Sequence, residues 1–221
     1  SAFPCIKIGY QLFQIDGNDI SSQLLFAGCR FTLAGLLTIL LGSLMNRRPL
    51  IPRKTSWIRI AKLSLFQTVI QYLFFYVGLA HTTGVKASII EASNVFVAIL
   101  IASLIFRQEK LDKHKIIGCI AGFAGVVLIN INQSGLDMSL SLTGEGFILL
   151  STIAYAVSSV LIKIYSREDN PVMLSGWQFL LGGIIMILCG YLTGGSVSVW
   201  TAPSISMLFY LAAVSAVAYS L

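Results

Sequence analysis

Apolar residues along this chain come in long unbroken runs, separated by short stretches of Gly, Pro, Asn and charged residues. The runs are Ala2–Ile15, Leu24–Met45, Trp57–Ala80, Ala87–Phe106, Ile116–Ile131, Phe147–Tyr165, Val172–Leu192 and Ile205–Leu221. A bilayer core takes about 20 apolar residues per helix, whereas a barrel strand takes about 10 in strict alternation. Run length and the lack of alternation predict an all-α polytopic membrane helix bundle of eight spans, the first and last incomplete.

Composition agrees. Of 221 residues, 56% are hydrophobic and only 11% charged, against about 25% charged in a soluble domain. Too few polar residues are present to cover a soluble fold, and the apolar content excludes disorder. The net charge of +6 does not signal nucleic acid, because the basic residues are not interleaved with aromatics on a soluble face. They lie in loops. Arg47, Arg48, Arg53, Lys54, Arg59 and Lys62 follow the second run, Arg107, Lys110, Lys113 and Lys115 the fourth, and Lys163 and Arg167 the sixth. By the positive-inside rule those twelve of fifteen basic residues mark the cytoplasmic side. Asp16, Asp19, Asp137 and Glu145 mark the other side, with Lys86 near its edge. The chain is expected in the plasma membrane, with a cytoplasmic start. It begins at Ser1 and ends at Leu221 inside apolar runs, without a signal peptide, and is read as an internal fragment.

An internal repeat is visible. AGCRFTLAGLLTILLG (Ala27–Gly42) aligns with SGWQFLLGGIIMILCG (Ser175–Gly190) at a constant offset of 148 without gaps. Gly28, Gly35 and Gly42 fall on Gly176, Gly183 and Gly190, and Phe31 falls on Phe179. Upstream, Ile6-Lys7-Ile8 matches Ile162-Lys163-Ile164. Small residues on one stripe let helices approach closely. The two copies are an odd number of spans apart and so cross the membrane in opposite directions. That is an inverted-topology repeat, the architecture of carriers, with the substrate site expected between the halves.

Several blocks resemble the EamA type of the drug/metabolite transporter superfamily: SAFPCIK (Ser1–Lys7), the Arg-Phe pair in CRFTLAG, FFYVGLAHTTGVKASII (Phe74–Ile90), NVFVAILIASLIFRQEKL and KIIGCIAGFAGVVLIN (Lys115–Asn130). The resemblance implies ten helices in two inverted five-helix repeats. Here they would be residues 1–132, truncated at the start, and 144–221, truncated at the end. Relatives carry a proline in the fourth helix where this chain reads Ser93-Asn94. Asparagine loosens a helix less, which leaves that kink open.

An ionisable group at mid-membrane costs about 2.5–3.5 kcal/mol on insertion scales, so each needs a partner or a purpose. Arg30 is expected roughly 12 Å, and Glu91 roughly 10 Å, below the same membrane face. Matched depth and opposite charge predict that they face the cavity and approach each other, directly or through cargo. The alternatives are a structural ion pair for Arg30 and a carboxylate held neutral by burial for Glu91. Gln178 is the second-copy counterpart of Arg30, which suits an amphoteric or anionic substrate. Lys7, deeper inside the first run, is expected on the substrate pathway, whereas Lys163 is expected to snorkel to the headgroups. Ser64, Gln67 and Gln71 share a predicted helix stripe, as do Ser88, Glu91 and Asn94, and Ser151, Tyr155 and Ser158. Each stripe either lines the pathway or hydrogen-bonds between helices. Trp177, beside Gln178, either caps the substrate or packs; Trp57 and Trp200 read as belt residues. Gly118 and Gly122 form a GxxxG that serves either a homodimer face or packing within the bundle.

Cys5, Cys29, Cys119 and Cys189 lie in apolar runs without metal-ligand spacing and read as packing residues. His81 and His114 form no metal motif. No P-loop exists, so direct ATP hydrolysis is excluded and no cofactor is expected. These features predict a secondary transporter, an exporter of small metabolites, amino-acid-like compounds or drugs, working by alternating access. It is not expected to be an enzyme. The alternative is a non-transporting membrane sensor or membrane-embedded enzyme on the same scaffold.

Overall fold

The computed structural model describes residues 2–16, 19–82, 84–107, 112–131, 142–197 and 199–220. All regular structure among them is helical. In chain order it comprises α1 (Ala2–Leu12), α2 (Ile20–Met45), α3 (Ser56–Ala80), α4 (Lys86–Ile105), α5 (Lys113–Ile131), α6 (Leu142–Tyr165), α7 (Pro171–Leu192) and α8 (Ala202–Ser220). Five of these, α2, α3, α4, α6 and α7, are long and apolar enough to cross a membrane. Helix starts follow local chemistry. The Asp19 carboxylate accepts the Ser22 amide at the head of α2, and the Asn170 side chain accepts the Val172 and Met173 amides ahead of Pro171 in α7. The Lys110 and Asp137 charges used for topology lie outside the described residues.

The chain divides into two compact units, residues 1–69 with 164–221, and residues 70–163. The boundaries fall inside α3 and α6, so the units do not coincide with the sequence repeat.

In the first unit the glycine-bearing stripes of α2 and α7 pack directly on each other. A Cβ at Gly35 would lie 2.5 Å from the Leu180 amide nitrogen and 2.7 Å from the Gly176 carbonyl. At Gly183 it would lie 2.5 Å from the Thr32 amide nitrogen and 2.8 Å from the Gly28 carbonyl. Only hydrogen fits. The register is reciprocal: Gly28 meets Gly183 and Gly35 meets Gly176, and these are repeat counterparts exchanged. An antiparallel pair that contacts itself in this way is isologous, the signature of a two-fold relation. Near its centre the counterparts Phe31 and Phe179 stack, ring centroids 5.5 Å apart and planes within 13°. Nine of the ten buried residues of α7 stand 148 positions after a buried residue of α2, so the relation covers the whole contact.

It also extends to helices whose sequences barely match. Ser56, Ile60, Leu63, Ser64 and Thr68 of α3 are buried, and so are Ser204, Leu208, Leu211, Ala212 and Ala216 of α8, each 148 positions later. α3 packs on α7 as α8 packs on α2. Around Phe26 of α2, Phe13, Ile15, Leu208 and Leu211 close one end of this core.

Where α3 begins, an ion cluster joins it to the loop before α7. Arg59 pairs with both Glu168 and Asp169, the Ser56 hydroxyl donates to Asp169 at 2.8 Å, and the guanidinium lies 5.5 Å from the Tyr165 ring centre. Burial opposes ionisation of Asp169, but the Ser56 hydroxyl, the Arg59 hydrogen bond and charge, and the Arg53 charge together outweigh it and hold the carboxyl below its usual range.

In the second unit, the latter part of α3 packs on the start of α6, where Phe74 and Phe147 stack 5.4 Å apart. α4 is interrupted at Ser93, between Ala92 and Asn94. The Ser93 hydroxyl donates to the Ile90 carbonyl at 2.6 Å, and the Ser93 amide donates to the same oxygen at 3.0 Å. This tightened turn supplies a break without proline. At Gly118 and Gly122 of α5 a Cβ would have nothing within 4 Å among the described residues.

Two predictions follow from this packing. Gly183→Ala should destabilise the protein by about 1–3 kcal/mol, since the added methyl meets backbone that cannot step aside. Gly118→Ala should stay within about 0.5 kcal/mol of wild type, and thermal unfolding in detergent measures both. The second concerns acid. Asp169 has a folded pKa below its unfolded one, so its contribution is complete above about pH 4 and is lost as pH falls through the folded value. Asp169→Asn should therefore lower the melting temperature at neutral pH, and the gap from wild type should close in acid.

Candidate functional site

The two-fold contact places Arg30 of α2 and its counterpart Gln178 of α7 on the buried faces flanking the Phe31–Phe179 stack. Arg30 is 6% exposed. Its guanidinium carbon sits 4.5 Å from the Phe31 ring centre, a favourable cation–π distance, and its Nε has no hydrogen-bond partner among the described residues. Gln178 is 0% exposed. Its Nε2 donates to Oε1 of buried Gln67 at 2.9 Å, while its own Oε1 is unpartnered. The hydroxyls of Thr32, Ser64 and Thr68 in the same unit are also buried without partners, and Thr68 lies against Gly182, one turn beyond Gln178. Leaving a buried polar group unpaired costs about 1–3 kcal/mol. Grouped around one two-fold contact, they mark the candidate site. Chemically it offers a cation without a carboxylate partner among the described residues on one side, and a neutral amide acceptor with hydroxyls on the other.

The second unit holds the remaining polar residues. Glu91 is half-buried in the first segment of α4 and makes no ion pair or hydrogen bond among the described residues. Asn94 opens the segment after the Ser93 break, and its Oδ1 is buried and unpartnered, as is Oε1 of Gln71. Tyr155 is half-buried on α6, where its carbonyl accepts the Ser158 and Ser159 hydroxyls.

The stripe expected along α3 is divided. A π-helical stretch from Ser64 to Ile70 changes the helical register, and Ser64 and Gln67 belong to the first unit and Gln71 to the second. Arg30 and Glu91, expected to approach each other, likewise belong to different units, each described by itself. The Lys7 side chain lies outside the described residues. Trp177 is committed elsewhere: its indole N–H donates to the Leu50 carbonyl at 2.8 Å, and its ring meets Trp57 edge-on at 5.2 Å.

One feature of the second unit was not foreseen. Lys86 pairs with Glu145 at 3.2 Å, and the Thr82 hydroxyl donates to the same carboxylate oxygen at 2.8 Å. Both charged residues fall in loops assigned to one side, and that shared side was the available signal.

The amide pair yields a test of its own. Gln67→Leu strands both polar ends of a Gln178 that water does not reach, costing about 1–3 kcal/mol. Adding Gln178→Leu should recover much of that loss. A double-mutant cycle of thermal stability in detergent measures the coupling.

Known proteins sharpen this picture. The profile of the EamA-like transporter family matches residues 8–131 and 142–221. A WAT1-related chloroplastic protein of Arabidopsis thaliana is 27% identical over 171 residues, covering 76% of this chain and 40% of the relative. The uncharacterized transporter YvbV of Bacillus subtilis is 26% identical over 193 residues, covering 86% and 61%. An uncharacterized transporter of Archaeoglobus fulgidus is 30% identical over 165 residues, covering 72% and 55%. The chain thus spans about half the length of the curated relatives it matches. No solved structure matches significantly. With a family match over most of its length and five membrane-length apolar helices, this chain belongs to the EamA-like transporter family.

Proposed function

We propose that the protein is a secondary carrier that moves small polar metabolites, amino-acid-like compounds or drugs outward across the plasma membrane by alternating access, with its basic loops in the cytoplasm. The observation that carries this reading is the buried, unpaired Arg30 beside the two-fold contact, with a neutral Gln178–Gln67 pair at the counterpart position. A two-fold related pair of halves supports two near-equivalent states, one open to each side. An intramembrane guanidinium without a carboxylate partner is costly unless it meets cargo. Glu91 is the carboxylate on which proton sensitivity would rest. Substrate transfer here needs no covalent step, and the driving force is a gradient or exchange.

Counter-flow of labelled substrates in liposomes holding the intact protein tests the proposal. Arg30→Ala and Glu91→Gln should each reduce transport at least about ten-fold, the factor that 1.4 kcal/mol produces, with normal membrane insertion. Full activity in either variant removes that residue from the pathway. A protein that binds cargo yet shows no counter-flow would be a sensor instead.

A further inference from the structure

The end of α2 departs from what its backbone prefers. Its last turn closes when the Arg48 amide donates to the Ser43 carbonyl at 3.2 Å, which carries Arg47 into the left-handed region at φ 50°. Glycine is the default residue at such a closure. The chain supplies its own control: α7, the counterpart helix, closes with the Gly195 amide on the Gly190 carbonyl, and there the left-handed residue is Gly194 at φ 85°. Arginine at this position is strained, and its side chain makes no hydrogen bond or ion pair among the described residues. The span α4 ends similarly, with Arg107 at φ 49°.

The loop that follows α2 is held in place. Leu50 and Pro52 are buried, the Leu50 amide takes the Ser43 hydroxyl as acceptor, and the Leu50 carbonyl accepts the Trp177 indole. On this fixed corner Arg47, Arg48, Arg53, Lys54 and Lys62 are exposed, and none forms a salt bridge among the described residues. Beside them Met45, Ile51, Trp57 and Ile58 are exposed apolar groups. Clustered cations outside any salt bridge among the described residues, only Arg53 of them lending its charge to Asp169, on an ordered loop at the end of a span and next to exposed apolar side chains, match the depth where acyl chains give way to phosphates.

We propose that the corner between α2 and α3 binds the headgroups of anionic phospholipids, and that Arg47 occupies its strained position because its guanidinium is needed there. The test uses the intact protein in detergent, with phosphatidylglycerol or phosphatidylcholine titrated and bound lipid counted by native mass spectrometry. Wild type should retain phosphatidylglycerol in preference. Arg47→Gly should bind it about five-fold more weakly, the contribution expected of one basic side chain near the surface. In lipid-free detergent the same variant should melt no lower than wild type, because glycine suits the backbone. Arg47→Gly together with Arg48→Gln should weaken binding further. Equal retention of the two lipids, unchanged binding in Arg47→Gly, or a lower melting point without lipid would each overturn the proposal. Displacement of the lipid by inorganic phosphate alone would also overturn it, since it would indicate a free-phosphate site.

Discussion

The close approach of α2 and α7 is the constraint on which the first unit depends. Inside a bilayer, helices gain nothing by hiding apolar surface from lipid, so van der Waals contact and hydrogen bonds must hold them together. Glycines 28 and 35 meeting glycines 183 and 176 bring two backbones within reach of each other's carbonyls. Because each stripe is also the other's counterpart, one solution to the packing problem serves twice. The consequences run outward: α3 must find on α7 the surface that α8 finds on α2, and the buried positions 148 residues apart record that it does. Arg30 and Gln178 are delivered to either side of the contact by the same register.

Given such a frame, chemistry resides where counterparts differ. Positions that shape the contact are glycine in both copies, whereas Arg30 faces a glutamine counterpart and Gln67 a serine, Ser215. Ser215 turns back to the Leu211 carbonyl of its own helix, while Gln67 reaches across to Gln178. A duplicated scaffold thus carries unlike residues at counterpart positions, one cationic and one neutral, while its helices keep the same packing.

Much of this was legible in the order of residues, and the rest was not, for identifiable reasons. The spans were readable because a bilayer imposes run length, and every described helix lies within a few residues of its apolar run. The α2–α7 duplication was readable because only glycine permits so close a contact, and so the residue type itself persists. The α3–α8 relation was hidden: Ile60 against Leu208 and Thr68 against Ala216 keep burial but not identity. The Gln67–Gln178 bond arises only once α3 docks on α7, and a helical wheel drawn at 3.6 residues per turn misses the π-helical stretch that separates Gln67 from Gln71. The break at Ser93 was obscured because a hydroxyl does locally what proline does covalently.

The two ends of the first unit are not equivalent, and the difference bears on the proposed cycle. At one end Arg59, Glu168, Asp169 and Ser56 form an ion cluster. Their counterparts 148 positions away are Met207, Ile20, Ser21 and Ser204, which carry no charge. The other end is joined instead by hydroxyl–backbone contacts: Ser21 donates to the Thr193 carbonyl, and the Ser22 hydroxyl accepts the Ser196 amide. Hydroxyl contacts exchange readily with water and respond little to ionic strength, whereas a paired carboxylate responds to both salt and acid. A two-fold related carrier built of identical halves would rest equally open to either side. In this chain paired charges hold the Arg59 end and hydroxyl contacts hold the other, so the two ends differ through side chains that the duplication does not share.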